Sequence, residues 1–141
     1  MKLSKAKETI RAGMIPFIIE DGKIKMMFMK PSDSKFGGSD WQIAKGEIDS
    51  GESPVQAAYR EANEELGLKK SNVENLFSIG TFWSGKFHVF IVKVKDKKAF
   101  GKPHFETKAT AWLNWGEWYS KGRRDQTKIV SAAYKIMKAS L

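Results

Sequence analysis

GEIDSGESPVQAAYREANEELGL, residues Gly46–Leu68, carries most of the structural and chemical signal in this chain. Ser53 followed by Pro54 marks a helix start. Serine is a preferred N-cap, and proline suits the first helical position, where its missing N–H costs nothing. Gln56, three residues on, completes a capping box. Gly67 falls where chains leave a helix through the left-handed C′ position. The stretch is therefore read as a loop, Gly46–Glu52, feeding a helix over Pro54–Leu66. On that helix Glu61, Glu64 and Glu65 are spaced i, i+3, i+4 and share one face. Like charges so placed repel, and nothing in folding requires them. Val55, Ala58, Ala62 and Leu66 supply the opposite, apolar stripe. Oxygen donors without cysteine or histidine suit a hard cation, Mg²⁺ or Mn²⁺. A bare Glu-x-x-Glu-Glu is more often a solvated helix face than a site, so the weight rests on the wider pattern.

The charge balance sets this stretch apart from the rest. The 141-residue chain carries a formal +9. Six acids (Glu47, Asp49, Glu52, Glu61, Glu64, Glu65) against Arg60 put the stretch at −5, so the remainder holds +14. A basic body around an acidic pocket steers polyanions inward, and metal ions would neutralise the pocket itself. Nucleotides and RNA 5′ ends fit that description; no DNA partner is expected. The length suits a single domain, 1–141, with a real core. No run of about 18 apolar residues suggests a membrane span. Met1–Lys7 is charged and lacks the apolar region of a signal peptide. The absence of cysteine excludes a disulfide framework and thiolate chemistry. These features lead to the expectation of a cytoplasmic protein without membrane partners; oligomeric state is not legible.

Outward from the stretch, the chain reads as alternating strands and turns. Arg11–Glu20 and Lys23–Lys30 are strands joined by Asp21-Gly22, a hairpin signal. Pro31–Asp40 is a loop rich in turn residues. Trp41–Ala44 is short and extended. Asn75–Trp83 and Lys86–Lys95 are strands about Ser84-Gly85. In the second of these Phe87, Val89 and Ile91 mark one face and Phe90, Val92 and Val94 the other, the pattern of an interior strand. Lys108–Trp115 is a further strand, and Gln126–Ala139 a helix with Asp125 as its cap. Strands and helices in this order predict an α/β or α+β layered domain with a mixed sheet between helices.

The spacing Gly46-x5-Glu52-x7-Arg60-Glu61-Ala62-x-Glu64-Glu65-x-Gly67-Leu68 resembles the Nudix box at every fixed position. The resemblance implies an α/β/α sandwich and an enzyme that hydrolyses a nucleoside diphosphate linked to another group, with Mg²⁺ or Mn²⁺ as cofactor. It implies Glu61, Glu64 and Glu65 as metal ligands with Glu52 nearby, and the carbonyl of Lys45 as a further ligand. Arg60 would hold the box carboxylates in place. The general base varies within the family; Glu61 or Glu64 is one choice, and Glu106, before the last strand, the other. Lys30, Arg11, Lys45 and Gly46 are the substrate-binding candidates, with Lys35 and Lys86 as further cations. Among the aromatic residues Trp83, Phe105, Trp112, Trp115, Trp118 and Tyr119, most are expected in the core and one or two at the mouth of the site. His88 and His104 lie outside the motif.

The segment from Trp41 to Leu68 is similar to the box region of bacterial dinucleoside polyphosphate hydrolases and RNA 5′-pyrophosphohydrolases. Lys45-Gly46 also resembles animal and plant diadenosine polyphosphate hydrolases, which usually carry proline where this chain has Ala44. Dinucleoside polyphosphates are thus the first expected substrates, with RNA 5′-triphosphate ends beside them. ADP-ribose, NADH or nucleoside triphosphates are the alternative, and a non-catalytic nucleotide sensor on the same fold is a third reading.

Overall fold

Asp21 and Gly22 take φ of 51° and 73°, the double left-handed turn whose twist matches that of paired strands. They join β1 (Arg11–Glu20) to β2 (Lys23–Pro31), antiparallel from Phe17↔Met26 to Glu20↔Lys23. The computed structural model describes residues 9–33 and 40–141; Lys35, part of the 31–40 loop and the charged residues 1–7 lie outside these. Along its first half β1 pairs with β3 (Ala44–Glu47), from Arg11↔Glu47 to Met14↔Ala44. So β1 exchanges one antiparallel neighbour for another midway. β2 splays away to pair with β6 (Thr107–Leu113). On its other side β1 runs parallel to β5 (Phe87–Val94), which pairs antiparallel with the edge strand β4 (Val73–Phe82). The result is a six-stranded mixed sheet, ordered β4-β5-β1-β2-β6, with β3 set against β1.

Side chains alternate between the two sheet faces and so fill two cores. Ala12, Met14 and Ile18 with Phe90, Val92 and Val94 pack against Ala57, Ala58 and Ala62 of α1 (Pro54–Leu66). Ile15 and Phe17 with Phe87, Val89 and Ile91 form the other core. There they meet Trp118 of α2 (Trp115–Lys121) and Ile129, Val130, Ala133 and Met137 of α3 (Thr127–Lys138). This is a mixed α+β domain layered α/β/α, as the element order predicts. β5, apolar on both faces, lies inside the sheet. No helix among the described residues is long and apolar enough to cross a membrane.

α1 has the predicted bounds and caps. Ser53 Oγ accepts from the Gln56 N–H at 3.2 Å, and Gln56 Oε1 accepts from the Ser53 N–H at 2.9 Å. Three other expectations are corrected. The strand placed at Trp41–Ala44 is Ala44–Glu47, so it contains Gly46 and Glu47; Trp41 and Gln42 make only isolated bridges to Gly122 and Met29. The strand expected to reach Trp115 stops at Leu113, because Asn114 caps α2. The Asn114 side chain accepts from the Glu117 N–H at 2.8 Å, and Glu117 accepts from the Asn114 N–H at 2.9 Å. Asp125 does not cap α3, which starts at Thr127 behind Gln126; its carboxylate is held by Arg123 instead.

Gly67 closes α1 at φ 77°, and a Cβ there would collide with the Gly101 carbonyl, whereas Gly51 at φ 84° faces open space. Gly51→Ala should therefore cost roughly 1 kcal/mol, the strain of a left-handed alanine. Gly67→Ala should cost at least about 3 kcal/mol, because the backbone of another loop must also move. Urea denaturation of both variants reads the difference; equal costs would show that the end of α1 does not bear on the Gly101 loop.

Candidate active site

Arg60 is the centre of the acidic stretch. Its Nε donates to Glu52 Oε2 at 2.8 Å and its Nη2 to Glu52 Oε1 at 3.0 Å, a two-point grip. Nη1 donates to Glu61 Oε1 at 2.8 Å and lies 3.6 Å from Glu64 Oε2. Nη2 also donates to the Glu47 carbonyl at 2.9 Å and stands 3.4 Å from Asp49. One guanidinium thus ties the 46–52 loop to the face of α1. The hydrogen bonds from Arg60 and from the Asp49 N–H hold the Glu52 carboxyl below the usual carboxylate range. Hydrogen bonds to Glu52 first, and also to Glu61, raise Arg60 above its ordinary value.

Beyond Arg60, α1 lies very close to β3. Ala57, Ala58 and Ala62 are fully buried and let the helix approach the sheet. A Cβ at Gly46 would collide with the Glu61 carboxylate, so only glycine admits that side chain. Glu61 is 8% exposed. Glu65 shares a hydrogen bond with it and accepts from the Lys45 N–H at 3.2 Å. Burial first, then the Glu61 carboxylate, pushes the Glu65 carboxyl up to about 9. Two carboxylates so close hold a proton between them because water no longer screens their repulsion. A divalent cation would serve the same electrostatic purpose, and the all-oxygen donor set suits one. Among the described residues no group of three or more carboxylate, imidazole or thiol side chains is gathered around a single point. Glu64 lies by Arg60, and both oxygens of Glu52 are engaged by it.

The Glu61–Glu65 pair opens into a cleft of about 650 Å³, lined also by Arg11, Met29, Pro31, Gln42, Lys45, Gly46, Glu47, Trp83, Glu106 and Arg123. Its position follows from the splay of β1 and β2. Arg11 begins β1, Lys45–Glu47 lie in β3, Pro31 ends β2 and Trp83 follows β4, all at one end of the sheet. Glu106 reaches the cleft because its loop caps α1. The last carbonyls of a helix lack internal partners. Here Glu64 O accepts from the His104 N–H at 2.8 Å and Glu65 O from Thr107 Oγ1 at 2.9 Å. The Glu106 carbonyl in turn accepts from the Ser32 N–H at 2.8 Å.

Arg123 arrives from the opposite layer. Its N–H donates to the Trp41 carbonyl at 2.8 Å, the Trp41 N–H donates to Lys121 O at 3.2 Å, and the Ile43 N–H donates to Gln126 Oε1 at 2.8 Å. The segment after α2 is thereby stitched to the chain just ahead of β3. Burial first, then Arg123, lowers the Lys45 ammonium. Trp83, at φ 55°, packs its ring tilted against Phe87 with centroids 4.8 Å apart.

The expected residues thus divide. Glu61, Glu65, Lys45, Gly46, Arg11 and Glu106 come together at the cleft. Arg60, Glu52 and Glu64 form the ionic scaffold behind it. Lys30 is not part of the cleft wall; its Nζ lies 4.9 Å from the centroid of the Trp41 ring. Trp118 is buried in the core against Phe28, and Phe105 is 88% exposed. Arg123 and Glu47 were not expected there. Arg123 and Gln42 are 81 positions apart, and no local pattern links them.

The NUDIX domain family model matches residues 8–133. An RNA pyrophosphohydrolase of Francisella tularensis subsp. mediasiatica is 36% identical over 62 residues, 44% of this chain and 40% of that protein. One of Aliivibrio fischeri is 50% identical over 44 residues, 31% of this chain and 26% of that protein. Both matches span less than half of the relative's length. Among solved structures, an Ap4A hydrolase binary complex of C. elegans superposes with a TM-score of 0.74 at 18% identity, covering 93% of this chain and 98% of that one. The NUDIX domain of Shewanella oneidensis NrtR, complexed with ADP ribose, superposes at 0.69 and 14% identity over 94% and 90%. At these identities the likeness is one of fold.

The shared proton gives a pH signature in the metal-free protein. A free glutamate has a pKa near 4.5 and folded Glu65 one near 9, so the folded state holds an extra proton between these values. Stability from this group is therefore complete below about pH 4.5 and is lost as pH rises towards about 9. Glu65→Gln has no proton to lose. Chemical denaturation in EDTA should show wild type losing stability relative to Glu65→Gln from about pH 5 to about pH 9. A difference that stays flat would overturn the buried pair.

Proposed function

The chain belongs to the NUDIX family, and from that premise we propose that it is a metal-dependent pyrophosphohydrolase, cleaving a nucleoside diphosphate linked to another group. The observation that carries this reading is the joining of the Glu61–Glu65 pair to Arg11, Lys45 and Arg123 in one cleft. Dinucleoside polyphosphates are its first substrates and 5′-triphosphorylated RNA ends the second. The names of the curated relatives and of the C. elegans enzyme support that choice. It would act as a single domain in the cytoplasm, where nucleotides and Mg²⁺ abound.

Glu61 and Glu65, joined by Glu64 once released from Arg60, would hold Mg²⁺ or Mn²⁺, with the Lys45 carbonyl as a further donor. When bound, the ion offsets charge on the phosphate oxygens and lowers the pKa of water. The protein's own groups do the rest. Arg60 keeps the carboxylates in register. Glu106, exposed in the cleft wall with its neighbours bonded to α1, would take the proton of the attacking water. Cationic side chains across the cleft bind the non-bridging oxygens, and Trp83 offers a face to a base.

A substrate panel in Mg²⁺ tests the reading: diadenosine tetraphosphate, ADP-ribose, NADH, nucleoside triphosphates and triphosphorylated RNA. The expected outcome is fastest cleavage of the dinucleoside polyphosphate or of RNA ends, with Glu64→Gln nearly inactive yet folded. Glu106→Gln should lower kcat by about 10²-fold or more with KM little changed. Preference for ADP-ribose would overturn the substrate assignment. Wild-type rates in Glu106→Gln would remove it as the base.

A further inference from the structure

Two arginines from distant parts of the chain line the cleft. Arg11, at the start of β1, is half-buried in the cleft wall, and its side chain makes no hydrogen bond or ion pair with a described residue. Arg123, by contrast, is held in a fork. Its Nε lies 2.7 Å from Asp125 Oδ1 and its Nη2 donates to Asp125 Oδ2 at 2.8 Å; Nη1 points to Gln42 Oε1 at 3.4 Å. A guanidinium has five N–H groups, so this arrangement fixes its plane and leaves two donors unspent. Backbone bonds to Trp41 set where that plane stands. A third cation, Lys45, faces the same space. The three cations share the cleft wall with Glu47 and Glu106 as well as the acidic pair, and Asp125 already faces Arg123, yet Arg123 and Arg11 both stand near enough to repel the Lys45 ammonium, a cost that an anion among the three relieves. Planar guanidinium groups match phosphate oxygens two at a time.

The acidic pair and its ion account for the pyrophosphate that is cut. They do not account for three more cations in a cleft of about 650 Å³, roomy enough for a drug-sized ligand. We infer that Arg11 and Arg123, with Lys45, form a subsite for phosphates beyond the two that flank the cleaved bond, so that the cleft selects ligands with three or more linked phosphates. Asp125 is the positioning residue that aims Arg123. The inference rests on the pyrophosphohydrolase reading and narrows its substrate class: a sugar-capped diphosphate carries too little charge to engage all three cations.

The test is calorimetric binding, in Mg²⁺, of two adenosine nucleotides that cannot be hydrolysed: methylene-bridged ADP and bis-methylene-bridged ATP. In the parent protein the triphosphate analogue should bind more tightly. Arg123→Gln and Arg11→Gln should each weaken it by roughly ten-fold or more, the size of one charged hydrogen bond, and weaken the diphosphate analogue by less than about three-fold. Arg123→Lys should recover only part of the loss, because an ammonium cannot form the fork. Asp125→Asn should reproduce the Arg123→Gln selectivity in milder form. Thermal melts check that each variant folds; should Arg123→Gln not fold, Arg11→Gln decides. Equal losses for the two analogues, or no loss, would overturn the subsite. The functional reading is judged separately by turnover. A protein that hydrolyses its substrates while Arg123→Gln and Arg11→Gln leave selectivity unchanged loses only this inference. One that discriminates the analogues through these arginines yet hydrolyses nothing loses the functional reading and keeps the subsite.

Discussion

Six carboxylates within twenty residues repel one another, and the protein gathers most of them through a single guanidinium. Arg60 grips Glu52 at two points, bonds Glu61, approaches Glu64 and Asp49, and reaches the Glu47 carbonyl. That grip has two consequences. It ties the 46–52 loop to the face of α1. It also reaches only one oxygen of Glu61 and leaves the contact between the Glu61 and Glu65 carboxyl groups to be settled otherwise. There the like charges are relieved by a proton that the pair shares. Arg60 supports the site from behind with Glu52 and Glu64, while its partners Glu47 and Glu61 line the cleft.

The cleft is assembled by bonds that also serve ordinary structural needs. The carbonyls at the end of α1 require donors, and the loop ahead of β6 supplies them through His104 and Thr107. The same loop carries Glu106. Helix termination and delivery of a catalytic candidate are therefore one event, and damage to the α1 terminus would reach the chemistry. On the other side Trp41, Ile43 and Gln126 lock the segment after α2 to the start of β3, which sets Arg123 over the cleft. In both cases backbone hydrogen bonds between distant segments place a charged side chain with little freedom. That is the preorganisation that electrostatic catalysis requires.

Small residues set how near these layers come. Ala57, Ala58 and Ala62 are fully buried beneath α1, and Gly46 yields its Cβ space to Glu61. An alanine at position 62, small for the apolar position of the motif, suits this seam: a larger side chain would lift the helix and carry the carboxylates away from β3. The edge strand β4 shows the opposite condition. Leu76 and Phe77 remain exposed there, which would invite a further strand, but two register shifts interrupt its ladder and disfavour such pairing.

The sequence alone determined α1 to the residue, because Ser53, Pro54, Gln56 and Gly67 act on their own neighbours through local hydrogen bonds and allowed φ angles. It likewise determined the β1–β2 turn, the interior place of β5, the layered fold and the acidic face, all of which depend on short-range periodicity. α2 was legible in principle from Asn114 and Glu117, yet seven residues with an internal glycine make a weak signal against a preceding strand. What only the tertiary structure decided is which charges meet. It paired Glu61 with Glu65 and gave Arg60 to Glu52, set Lys30 over Trp41 away from the cleft, and brought Arg123 to Gln42 across 81 positions. The reason is physical. Local motifs are satisfied within a turn of chain, whereas the company of a side chain in a cleft depends on how layers stack and strands splay, and no spacing along the chain encodes that directly.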